Sequence, residues 1–106
     1  MKANFLIIFC TVPDKETAQN IACHLVEEKK AACCNIIPAI KSVYFWENQL
    51  QQDEEQLLII KTREDRFHSL QKRIMELHPY SIPEIIAIPI IHSNQEYLNW
   101  VNENVE

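Results

Sequence analysis

Lys29-Lys30-Ala31-Ala32-Cys33-Cys34-Asn35-Ile36-Ile37-Pro38, continued by Ser42-Val43-Tyr44-Phe45-Trp46-Glu47-Asn48 and closed by Leu57-Leu58-Ile59-Ile60-Lys61-Thr62, decides the fold. It reads as two long strands joined by a polar tip. In the first arm Ile40, Ser42, Tyr44 and Trp46 point one way, and Lys41, Val43 and Phe45 the other, which is the two-residue period of a strand. The tip, Glu47 to Gln56, is almost wholly polar. The return arm is apolar and rich in β-branched residues, which predicts burial on both faces. Each arm can exceed the usual strand of about five to six residues. A hairpin that long projects beyond a small domain, and projecting edges invite pairing with another chain. An exposed Tyr44/Trp46 face is typical interface material. The stretch therefore predicts an oligomer with Tyr44 and Trp46 at its subunit interface.

On the N-terminal side, Asn4 to Thr11 reads as a first strand. Pro13 and Asp14 then start a helix, since proline suits a helix start and aspartate its positive end. Ala18, Ile21, Ala22 and Leu25 give that helix one apolar stripe. His24 lies beside the stripe with no second ligand four residues on, so it reads as a helix residue rather than a metal ligand. On the C-terminal side, Thr62 opens a second helix, with Glu64 and Asp65 in its first turn and Phe67, Leu70, Ile74 and Leu77 facing inward. His68 falls off that stripe and is expected at the surface. In His78-Pro79-Tyr80-Ser81-Ile82-Pro83-Glu84 two prolines forbid helix and favour extended or turn backbone. Ile85 to Ile91 is a fourth strand, in which Pro89 demands an edge or a bulge. A short last helix runs near Gln95 to Asn102. Two β-α-β units plus a terminal helix, with right-handed crossovers, give an α+β protein: a four-stranded antiparallel sheet with helices on one face, the ferredoxin-like arrangement. That fold hosts many functions and decides none of them.

A chain of 106 residues with 47% hydrophobic content is one domain with enough apolar material for a core. A net charge of −5 argues against general nucleic-acid binding, which wants a basic face. The apolar run Phe5 to Cys10 is too short for a secretory signal, and no segment approaches the roughly 20 apolar residues of a membrane span. The simplest expectation is a cytoplasmic protein. None of the four cysteines forms a CxxC pair. Cys33 and Cys34 point to opposite faces of a strand and cannot easily bridge, so Cys23, Cys33 and Cys34 are expected as buried free thiols. Glycine is absent. That rules out glycine-dependent phosphate loops and leaves Asn48 and Asn94 as the expected positive-φ positions.

Several segments together resemble the CutA family of divalent-cation tolerance proteins. They are Thr11-Val12-Pro13-Asp14, Leu25-Val26-Glu27-Glu28-Lys29-Lys30-Ala31-Ala32-Cys33, Asn35-Ile36-Ile37-Pro38, Ser42-Val43-Tyr44-Phe45-Trp46-Glu47, Leu58-Ile59-Ile60-Lys61-Thr62, Leu77-His78-Pro79-Tyr80-Ser81-Ile82-Pro83-Glu84-Ile85-Ile86 and Tyr97-Leu98-Asn99-Trp100. They span nearly the whole chain in order. The resemblance implies a ferredoxin-like protomer in a tight homotrimer, with hairpins packed between subunits, and a link to copper and other divalent cations. In the family, copper is attributed to a cysteine before the Thr-x-Pro-Asp turn and to two histidines before Pro-Tyr. Cys10 matches the first and His78 the second histidine, while Leu77 replaces the first. Family members also usually carry glycine where this chain has Ala39 and Asn48.

Cys10 and His78 are donors suited to copper or zinc, two where a firm site needs three or four. Lys61, Tyr80 and Glu84, with Tyr44 and Trp46, make a second group. Lys61 could pair with Glu84, or line an intersubunit cleft suited to a small anion or effector. The family's trimer resembles the PII signalling proteins, which hold small ligands between subunits. A partner protein fits the same cleft. No Ser/His/Asp or Cys/His arrangement has a recognisable catalytic signature, so the expectation is a binding protein and not an enzyme.

Overall fold

The computed structural model describes residues 4–106. Its first strand, β1 (Phe5–Val12), alternates half-buried and buried residues along its whole length. Helix α1 (Lys15–Glu27) follows. The Asp14 carboxylate caps it by accepting the Thr17 amide at 2.7 Å, and this bond holds the carboxyl below its ordinary range. The expected stripe of Ala18, Ile21, Ala22 and Leu25 is the buried face of α1.

The hairpin consists of β2 (Cys33–Trp46) and β3 (Gln49–Arg63). Its turn is only Glu47 and Asn48, both left-handed with φ of 50° and 63°, the geometry that lets two strands keep their twist through a two-residue loop. The polar stretch expected as a long tip is therefore strand, paired from Trp46↔Gln49 to Ile40↔Glu55. Its polarity reflects two solvent-facing sides beyond the domain's body, and not a loop. The register shifts between Ile37 and Ile40. There Pro38 has no amide to give to the ladder and Ala39 takes φ 59°.

In the absence of glycine, left-handed backbone falls on Lys29, Ala39, Glu47 and Asn48. Asn48 is as expected. Asn94 is not: its φ is −62°, and its side chain caps α3 (Gln95–Glu103) by accepting the Glu96 amide. β3 also outruns the expected helix start at Thr62. That residue is fully buried in the sheet, and its hydroxyl donates to the Lys30 carbonyl at 2.7 Å. A single 3-10 turn (Glu64–Arg66) precedes α2 (Phe67–Leu77). On α2, Leu70 and Ile74 are buried, Phe67 and Leu77 pack against the core, and His68 is exposed as expected. The last strand, β4 (Ile86–Pro89), is shorter than anticipated.

All pairings are antiparallel, in the order β2-β3-β1-β4. The fold is ferredoxin-like α+β, and β4 is an edge, where Pro89 leaves no central ladder bond unmade. Leu6, Ile8, Leu58 and Ile60 pack on Ile21, Leu25, Leu70 and Ile74 to form the core. β3 is not buried on both faces. Leu58, Ile60 and Thr62 are sealed, while Leu57, Ile59 and Lys61 are only half-covered. They share the open face with Ile7 and Phe9, and with Ile86 and Ile88, which are 51% and 44% exposed. α3 covers one corner of that face, joining Val101 and Val105 to Phe5 and Ala32, so two of the three helices, not all, share a side.

Candidate functional site

Between the outer half of β2 and the Tyr80–Glu84 segment, the chain has a cleft of about 620 Å³. β2 supplies Ser42, Tyr44 and Trp46, β3 supplies Glu55, and the proline-framed segment supplies Tyr80 and Glu84. Thr11, at the end of β1, closes its floor. Glu55 is only 7% exposed. Its carboxylate accepts the Tyr80 hydroxyl at 2.8 Å. Burial, then this bond, pushes the Tyr80 phenol above its ordinary range. Tyr44 donates to Asp53, and that bond likewise raises its phenol.

Cys10 and His78 adjoin this floor. His78 Nδ1 accepts the Tyr80 amide at 3.1 Å, so the ring proton sits on Nε2, which donates to the Thr11 carbonyl at 2.8 Å. The ring also lies 4.7 Å from that of Tyr80. Cys10 is fully buried, and its Sγ points to the same Thr11 carbonyl at 3.8 Å. Burial, then the negative charge of Glu84 and the neighbours Cys34 and Glu55, pushes the Cys10 thiol up to about 12. The two residues thus converge on one carbonyl. As folded they do not fit a ready metal site, because both imidazole nitrogens are engaged and the sulfur holds its proton. Leu77 packs half-buried on the core, and among the described residues no group of three His, Cys, Asp or Glu side chains is placed to hold a metal ion.

Tyr44, Trp46, Tyr80 and Glu84 all line the cleft; Lys61 does not. Its ammonium bonds to the Asn35 side chain and lies 4.0 Å from Cys33 Sγ. The reason is register: Lys61 pairs with Cys33, whereas Glu55 pairs with Ile40, which separates them by about 20 Å along β3 at ~3.3 Å per residue. Lys61 and Glu84 form no ion pair among the described residues. The expected thiol burial also needs correction. Cys33 and Cys34 are half-buried, and Cys23 is exposed because it lies one residue past Ala22, on the solvent side of α1. Glu55 was not anticipated as a cleft residue, nor Asp53 as the partner of Tyr44. Their signal was the dipeptide Glu47-Asn48: once it is read as the whole turn, pairing brings Asp53 opposite Ser42 and Glu55 opposite Ile40.

The fold and cleft define a class: a ferredoxin-like α+β protein with a projecting hairpin and an acidic, aromatic cleft beside it. A family model described as "CutA1 divalent ion tolerance protein" matches residues 6–104. The chain belongs to this family. It is 47% identical over 98 residues to the divalent-cation tolerance protein CutA of Thermus thermophilus, covering 92% of this chain and 95% of that one. The solved structure of the T. thermophilus protein superposes with a TM-score of 0.94 at 45% identity, covering 96% and 99% of the two chains. The CutA1 crystal structure from Oryza sativa gives 0.96 at 43% identity, covering 97% and 94%.

Proposed function

We propose that this chain serves in divalent-cation tolerance as a cytoplasmic homotrimer that takes up copper or a related divalent cation. The observation that carries the copper assignment is the convergence of Cys10 and His78 on the Thr11 carbonyl. A soft and a borderline donor thus contact the same carbonyl oxygen. The closed geometry sets the terms of uptake. Were an ion held here, Cys10 would supply a thiolate and His78 a ring nitrogen, a pair that would favour a thiophilic metal and release the Cys10 proton on binding. Four free thiols suit a reducing compartment.

The test is calorimetric titration of the reduced protein with copper, in two buffers of different ionisation enthalpy. Uptake with proton release is expected, weakened at least about tenfold in Cys10→Ser and in His78→Ala. Copper heats that are absent, or identical in both variants, would remove the assignment.

A second reading is favoured by the cleft itself, whose volume and mixed lining suit a small ligand. In this reading the protein is a PII-like module that binds a small effector, or a partner protein, at Tyr80 and Glu84, between subunits of the trimer. Melting-temperature screens against small charged molecules read it directly; a flat response to all of them would dismiss it.

A further inference from the structure

We propose that the cleft beside the hairpin binds a small organic cation of the alkylammonium class, held between the ring faces of Tyr44 and Tyr80 and the carboxylates of Glu55 and Glu84. The inference rests on the second reading above, that the cleft takes a small ligand, and names the ligand's charge and chemistry.

Three observations carry it. The first is the lining: Tyr44, Trp46 and Tyr80 supply aromatic surface, Glu55 and Glu84 supply carboxylates, and among the described residues no lysine, arginine or histidine lines the cleft. This chain's own lining therefore gives a small anion no cationic side chain, since Lys61 lies far along β3. The second is Glu55. The residue is 7% exposed, yet the one hydrogen-bond partner of its carboxylate among the described residues is the neutral Tyr80 hydroxyl. Burying a carboxylate without a counter-charge is unfavourable, and an entering cation offsets that cost. The third is Glu84, which borders the cleft with no hydrogen bond or ion pair of its own among the described residues.

The local field agrees, because Cys10, Tyr44 and Tyr80 are all shifted upward partly by these acidic neighbours. Aromatic faces attract a desolvated, diffuse cation. They offer no lone pairs to a hard metal ion, which needs several oxygens. An alkylammonium uses both walls at once. The cleft volume of about 620 Å³ lies within the range of small-molecule sites.

The test is calorimetric titration of the assembled protein with tetramethylammonium, followed in parallel by tryptophan fluorescence. The controls are neopentanol, as a neutral compound of similar bulk, and inorganic phosphate. Tetramethylammonium is expected to bind, to weaken as sodium chloride is raised, and to weaken roughly fivefold in Glu84→Gln. Neopentanol and phosphate are expected to give no comparable heat. An unaltered affinity in Glu84→Gln, or equal binding of neopentanol, overturns the inference. Binding of phosphate without tetramethylammonium overturns it too while leaving the effector reading standing; silence from every ligand also overturns it, and the effector reading is then decided by the melting-temperature screen.

Discussion

At the scale of single residues, the thiols of buried Cys10 and half-buried Cys34 matter most for stability against pH. Cys10 and Cys34 are both pushed from an ordinary 9.0 up to about 12, chiefly by burial. Their folded values lie above their unfolded ones. The stability this provides is therefore complete below pH 9.0 and is lost as pH rises toward about 12. In that window an unfolded chain releases two thiol protons that the folded chain retains. Denaturant titrations at pH 8 and pH 10.5 should show a clear alkaline loss, smaller in a Cys10→Ala/Cys34→Ala double variant. Equal pH slopes in the two proteins would contradict it. The same burial explains why Cys10 was legible as a donor but not as a closed one. Residue type announces soft chemistry, whereas the Tyr80 amide and Thr11 carbonyl that engage its neighbour His78 come from separate segments of the chain.

At the scale of elements, the hairpin turn is the informative case. Alternation in β1 and the stripe of α1 were legible because each repeats over several turns of one period. β3 was only half legible. Its polar outer half has no apolar face to mark it as strand, and Glu47-Asn48 lacks the Asn-Gly signature of such turns. The chain accepts left-handed backbone at a glutamate and an asparagine, each disfavoured relative to glycine. Glu47→Asn/Asn48→Gly should therefore stabilise the protein by about 1 kcal/mol, read as a higher denaturation midpoint at unchanged slope. Both side chains are exposed, so no packing is lost. A lower midpoint would show that these side chains make contacts outside the protomer. Glu55 in the cleft and Asp53, the partner of Tyr44, inherit this illegibility, because their placement depends on a turn that composition did not announce.

At the scale of the whole molecule, the protomer is elongated, 46 × 25 × 22 Å, and its apolar surface is unevenly spread. Val43, Phe45, Trp46 and Leu50 lie exposed on the outer hairpin, and Ile37, Ile86 and Ile88 on the open sheet face. Patches of this kind mark association surfaces. Beyond the bulge, β2 and β3 pair only with each other, since the pairing of β1 with β3 ends at Val12↔Gln56. A two-stranded ribbon without a third strand or a helix against it is marginal in water. The outer hairpin therefore needs a neighbour, and the proposed trimer gives it one. Trp46, 52% exposed in the protomer, has the size and chemistry of an interface anchor, and truncating such a residue typically costs 2 kcal/mol or more, roughly. Light scattering on the unaltered chain should give three protomers. Trp46→Ala should dissociate at protein concentrations where the unaltered chain does not, and Ile88→Asp, on the open face, should do so more severely. A monomeric mass for the unaltered chain would end the trimer proposal. A trimer indifferent to Trp46→Ala but broken by Ile88→Asp would move the anchor from the hairpin to the sheet face, leaving the aromatic side chain free to serve the cleft alone.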